Sequence, residues 1–95
     1  MNEIDKFYAD KCGYPLDEQG YSEGFVDIEG QYIRWAIESA ECREIIRGVF
    51  KIETQYINDL WLASSEGMTI HTGETIREAE IACMTTIFEQ ENKNG

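Results

Sequence analysis

Apolar residues first recur at helical spacing in NEIDKFYADKC, residues 2–12, where Ile4, Phe7, Tyr8 and Cys12 share one face. Gly13 and Pro15 then stop the pattern, which predicts a short opening helix. Residues 14–30, YPLDEQGYSEGFVDIEG, keep no period, although Phe25, Val26 and Ile28 suit a brief strand. From Gln31 onward, Ile33, Ile37, Ile45, Ile46 and Val49 fall on one helical stripe, while Ser39 offers a cap for a shorter helix. Either reading puts a helix over 40–48, with Gly48 at its end.

The period then changes. FKIETQYI, residues 50–57, alternates with Phe50, Ile52, Thr54 and Tyr56 on one face. A two-residue connection at Asn58-Asp59 sets Ile57 opposite Leu60 and Tyr56 opposite Trp61. A four-residue turn at SSEG, 64–67, pairs Ala63 with Met68 and Trp61 with Ile70. These registers gather Phe50, Ile52, Tyr56, Trp61, Ala63, Met68 and Ile70 on one face. Ile57, Leu60, Leu62, Thr69 and His71 fall on the other, which is too apolar to stand in water uncovered. The N-terminal 30 residues or a second copy of the chain should cover it.

Thr75-Ile-Arg-Glu78 is a capping box and opens the last helix. Ile76, Ala79, Cys83 and Ile87 form its stripe, widened by Ile81, Met84 and Phe88, and the pattern frays at NKNG. The expected class is α+β: a three-stranded antiparallel meander packed against helices, in the order helix, acidic segment, helix, three strands, helix. Its length suits one domain over 1–95, with an acidic helix and segment at 1–30, a helix–meander–helix core at 31–91 and a frayed tail at 92–95.

Charge alters this picture most. The chain has 19 acids against 8 bases, a net −11. Residues 1–31 carry eight acids and two lysines, and residues 53–95 carry eight acids against Arg77 and Lys93. The stretch 32–52 is nearly neutral: Glu38, Glu41 and Glu44 stand against Arg34, Arg43, Arg47 and Lys51. Two acidic flanks repel phosphate backbones and anionic membranes, which require clustered lysine and arginine. They favour encounter with a basic protein surface. The N-terminus has no apolar signal core, so a cytoplasmic protein is expected.

Catalytic and metal chemistry find little support. Starting a calcium loop at Asp17 places Ser22 at the sixth position, where that loop needs glycine. Cys12, Cys42 and Cys83 are widely spaced with no CxxC, which argues for reduced structural thiols and against zinc. His71 is the lone imidazole and has no triad partner at a recognisable spacing. Glu78 and Glu80 are two apart on a helix and point in different directions, so a solvated face explains them better than paired acid/base chemistry. No metal or cofactor is called for.

The residues "CREIIRGVFKIET", "LWLASSEGMTI" and "TIREAEIACMTTIFE" resemble a pattern of small bacteriophage and prophage proteins, the phage sandwich domains with a short antiparallel sheet against helices. The likeness spans Trp35 to Glu89 and implies the α+β fold. In size, charge and lack of catalytic motifs the chain is also similar to anti-CRISPR proteins. That similarity implies carboxylates that occupy basic channels meant for nucleic acid. The order helix–three strands–helix resembles double-stranded-RNA-binding domains as well, yet Thr75-Ile-Arg-Glu-Ala-Glu stands where those domains present lysines.

The expectation that emerges is a non-enzymatic inhibitor acting in a bacterial host. Its carboxylates dock on a basic site of a CRISPR effector or another nucleic-acid-handling complex. Asp17, Glu18, Glu23, Asp27 and Glu29 are the candidate contacts, with Tyr14, Tyr21 and Trp35 as aromatic anchors. The alternative is a homodimeric structural or adaptor module joined through Ile57, Leu60 and Leu62.

Overall fold

A computed structural model describes residues 2–67 and 70–94. Its elements follow the expected order: α1 (Glu3–Lys11), α2 (Ala40–Phe50), β1 (Glu53–Ile57), β2 (Leu60–Ser64), β3 (His71–Gly73) and α3 (Ile76–Asn94). The class is α+β, with a three-stranded antiparallel sheet in the order β1-β2-β3. The chain divides into two compact units, Met1–Ile45 and Ile46–Gly95.

In the first unit, the Asn2 carboxamide starts α1 by accepting the Ile4 N–H at 3.0 Å. Gly13 ends the turn beyond it, at φ 87, a conformation open to glycine and strained for other residues. Tyr8 and Ala9 are fully buried. Beyond the helix, Tyr14 stacks on Trp35 at 5.7 Å between ring centroids, and Phe25 meets both rings, at 5.3 and 5.1 Å. Polar links, one of them long-range, hold the segment before α2. The Asp5 carboxylate accepts the Ile37 N–H at 2.9 Å. Buried Arg43 donates to the carbonyls of Ile37 and Glu38, at 3.1 and 2.6 Å.

The shorter reading of α2 is the one realised. Ser39 supplies its carbonyl to the Arg43 N–H, and the helix proper begins at Ala40. Residues 31–33 are drawn instead into a hairpin, through the Val26–Tyr32 bridge and the Ile33 N–H to the Phe25 carbonyl. Gly48 does not end the helix, which runs on to Phe50. Lys51, at φ 54, makes the break, and the Ile52 N–H closes it by bonding the Arg47 carbonyl.

In the second unit, the β1–β2 register is the expected one, with Ile57 opposite Leu60 and Tyr56 opposite Trp61. Asn58 and Asp59 both adopt positive φ, as a two-residue hairpin turn of matching twist demands. The β2–β3 register is not the expected one. Ala63 lies opposite His71 and Trp61 opposite Gly73, a shift of three residues from the pairing with Met68 and Ile70. Met68 and Thr69 lie outside the described residues.

An odd shift exchanges faces. His71 therefore joins Trp61 and Ala63, while Ile70, at 58% exposure, leaves them. Two steric facts accompany this register. Ala63, the smallest side chain of β2, is the one that faces the imidazole. Gly73 runs so close to the start of α3 that a Cβ there would sit 2.6 Å from the Ala79 nitrogen. The opposite face keeps Gln55, Ile57, Leu60, Leu62 and Thr72, so the expected grouping of Ile57, Leu60 and Leu62 is correct.

The last helix packs against β2 and β3. The Thr75 hydroxyl accepts the Glu78 N–H at 3.1 Å, and the Glu78 carboxylate reaches back to the Glu74 N–H at 3.1 Å, one residue beyond the usual box. Ala79, Cys83, Met84 and Ile87 form its buried stripe, and the helix continues through Asn94. One charge lies within that stripe: Glu80 is 1% exposed and accepts a 2.6 Å bond from half-buried Arg47.

Arg47→Met removes a hydrogen-bonded cation from the Glu80 carboxylate in a desolvated site and should lower the unfolding free energy by about 2–3 kcal/mol in urea titrations. The double variant Arg47→Met/Glu80→Leu should recover much of that loss, since no carboxylate is then left desolvated at this position.

Candidate protein-docking surface

The acidic segment is ordered, and its order comes from its own aspartates. Residues 17–21 and 27–31 fold into the same structure. In each, the aspartate carboxylate accepts two backbone N–H groups, those of Gln19 and Tyr21 for Asp17 and of Glu29 and Gln31 for Asp27, all at 2.9–3.0 Å. The glycine three residues on bonds back to the aspartate carbonyl, and the aspartate N–H bonds the carbonyl four residues ahead. Gly20 and Gly30 take φ of 89 and 84, the left-handed step of a hairpin loop with a bulge. The recurrence of Asp-x-x-Gly at 17–20 and 27–30 was the legible signal for these loops, and a search for metal ligands or helical periods passes over it.

This changes the roles of the candidate residues. Asp17 and Asp27 brace backbone, with their carboxylates still at the surface. Glu18, Glu23 and Glu29 are exposed, and their carboxylates make no hydrogen bond or ion pair among the described residues. They are the free charges of the set. Trp35 is only 2% exposed, and Tyr14 is half-buried against it, so the expected anchors are largely interior packing. The indole N–H of Trp35 has no acceptor among the described residues. Tyr21 is half-buried and lies 6.1 Å from the Tyr32 ring, which ties the first Asp loop to the hairpin that carries the second.

That hairpin shows the feature that periodicity misses. Val26 and Ile28, which suit a brief strand by sequence, are 40 and 101% exposed, and Tyr32 is 62% exposed. Ile28 occupies the loop between Asp27 and Glu29 and touches nothing that shields it. Alternation around Phe25 accounts for this: Phe25 turns inward to Trp35, which sends Val26 outward. The result is an apolar tip, Val26, Ile28 and Tyr32, set among carboxylates. The same unit holds a cleft of about 220 Å³ lined by Asp5, Glu18, Gln19, Arg34 and Trp35 among others.

Other chemistry is sparse. No group of three His, Cys, Asp or Glu side chains is placed to hold a metal ion among the described residues. His71 is on the face of Ala63 and not on the second face expected for it, and its Nε2 is buried without a partner among the described residues. The three cysteines are free. Burial raises all three thiols, with Cys12 pushed up to about 11 by burial and by the neighbouring Cys42. Among the described residues, no helix is long and apolar enough to cross a membrane. Compared with family models, curated proteins and solved structures, the chain shows no match.

Asp17→Ala and Asp27→Ala should each cost about 1 kcal/mol in chemical denaturation and expose the Tyr21 and Gln31 amides to hydrogen exchange. Asp→Asn at the same positions keeps the accepting oxygen and should leave exchange near wild type. The thiols supply a pH signature. A thiol held protonated in the fold ionises first in the unfolded chain, so stability is intact below pH of about 9 and falls as pH rises toward about 11. Thermal melts across that window, with a Cys12→Ala control that flattens the slope, test it.

Proposed function

We propose that the chain is a non-enzymatic docking protein whose N-terminal unit binds a basic protein surface through the apolar tip at Ile28 and the carboxylates around it. The observation that carries this reading is the fully exposed Ile28 held between Asp27 and Glu29 on a braced loop. A loop fixed by its own hydrogen bonds loses little entropy on binding, so an exposed isoleucine on it can act as an anchor. Glu18, Glu23 and Glu29 then supply long-range attraction without first leaving an internal partner.

Clustered cationic surfaces are the electrostatic footprint of proteins that hold nucleic acid, which gives the finer form of the reading. The partner is a nucleic-acid-handling host complex, the chain works in the cytoplasm of a bacterial host, and the carboxylates take positions meant for phosphates or block access to them. Net charge of −11 supports this form, as does the likeness to phage-borne inhibitors in size and charge.

With a partner isolated by cross-linking, association should slow about tenfold between low and physiological salt, because exposed charges are screened beyond about 8–10 Å. Glu18→Gln/Glu23→Gln/Glu29→Gln should reduce the on-rate and flatten its salt dependence, whereas Ile28→Ala should chiefly speed dissociation. A salt-independent rate overturns the electrostatic mechanism.

A further inference from the structure

We infer that the cleft of the N-terminal unit binds a small zwitterion, an α-amino acid. The ligand's carboxylate accepts from Arg34, and its ammonium donates to Glu18 and Asp5. This goes beyond the docking reading and does not depend on it, since Ile28 and its loop do not line the cleft. Sites for drug-sized ligands run to about 300–1,000 Å³. At about 220 Å³ this cleft suits a smaller molecule.

Arg34 is the only base between Cys12 and Cys42, a stretch with seven acids. Even so, its guanidinium makes no hydrogen bond or ion pair among the described residues. Asp5 and Glu18 line the same cleft and do not close on it. Opposite charges that share a cleft without pairing leave room for a ligand that carries both signs. Each acid also keeps bonding capacity. Asp5 commits Oδ1 to the Ile37 N–H at 2.9 Å, while its Oδ2 accepts no hydrogen bond among the described residues. Glu18 has both oxygens open.

Charge selects the ligand class. A simple anion drawn to Arg34 meets the two carboxylates, and a simple cation drawn to those carboxylates meets Arg34. A zwitterion sets each of its charges against an opposite one, with charge-assisted hydrogen bonds at both ends. The lining is held in place beforehand, which lowers the entropy cost of binding. Glu18 and Gln19 ride on the loop braced by Asp17, and Trp35 is fixed by Tyr14 and Phe25. Trp35 also brings to the cleft wall an indole N–H with no acceptor among the described residues, a polar group that the fold leaves unsatisfied.

L-Alanine is the probe, because its methyl side chain leaves the two charged ends to act alone. In magnetic-resonance titrations of isotope-labelled protein, the Trp35 indole and Gly20 amide signals should shift saturably, with a Kd of about 1 mM or tighter. N-Acetyl-L-alanine keeps only the carboxylate and L-alaninamide only the ammonium, so each should bind at least about tenfold more weakly. Arg34→Gln should abolish the response, and Arg34→Lys should retain part of it. Glu18→Gln should weaken binding about tenfold. Arg34 and Glu18 are exposed and bond to nothing among the described residues, so these variants keep the fold. No saturable shift with L-alanine, a capped form that binds equally well, or a response that survives Arg34→Gln overturns the inference.

Discussion

Carboxylates bonded to backbone amides are the interaction on which the N-terminal unit depends. With more than twice as many acids as bases, this chain cannot neutralise its aspartates with lysine and arginine. It uses them as acceptors for N–H groups that have no secondary-structure partner. Asp17 and Asp27 each satisfy two amides of a loop, and Asp5 satisfies the Ile37 amide 32 residues away. A charged acceptor makes stronger hydrogen bonds than a neutral one, so order is obtained where regular strands and helices are scarce. The opposite device appears at Arg43, a buried cation satisfied by carbonyl oxygens.

Around these polar fastenings the aromatic residues do the packing. Tyr14, Phe25 and Trp35 come from three separate points of an otherwise irregular stretch and meet as one cluster. Phe25 connects this packing to the surface, because its inward direction fixes the outward direction of Val26 and the projection of the loop beyond. Inside and outside of the candidate docking surface are thus set by one side chain. The C-terminal unit works differently. Its sheet and α3 rest on ordinary apolar burial, a close backbone approach at Gly73, and the Arg47–Glu80 pair.

Much of the fold was legible because its signals are local. The Asn58-Asp59 turn fixed the first hairpin, and Thr75 with Glu78 fixed the start of α3. The second hairpin was misread because nothing local distinguishes a short loop after Ala63 from a longer one, and hydrophobicity drew Ile70 into the core where the chain places His71. Glu80 was taken for a solvated residue because its cation lies 33 positions away. At the candidate site, the acids were visible but their division of labour was not. Whether an aspartate braces a loop or faces a partner depends on amide directions that only the fold supplies. Trp35 was misjudged by the same limit, since an aromatic beside charges reads alike whether it points in or out.

The exposed Ile28 has a colloidal consequence. An isoleucine presented on a rigid loop is a contact point for other copies, and at neutral pH the strong negative charge of every molecule keeps those points apart. As the solution approaches the isoelectric point, near 4.3, that mutual repulsion vanishes while the loop's greasy tip remains. Precipitation in mild acid would then begin from intact molecules and not from unfolded ones, and polar replacement at this one position would widen the range in which the protein stays dispersed.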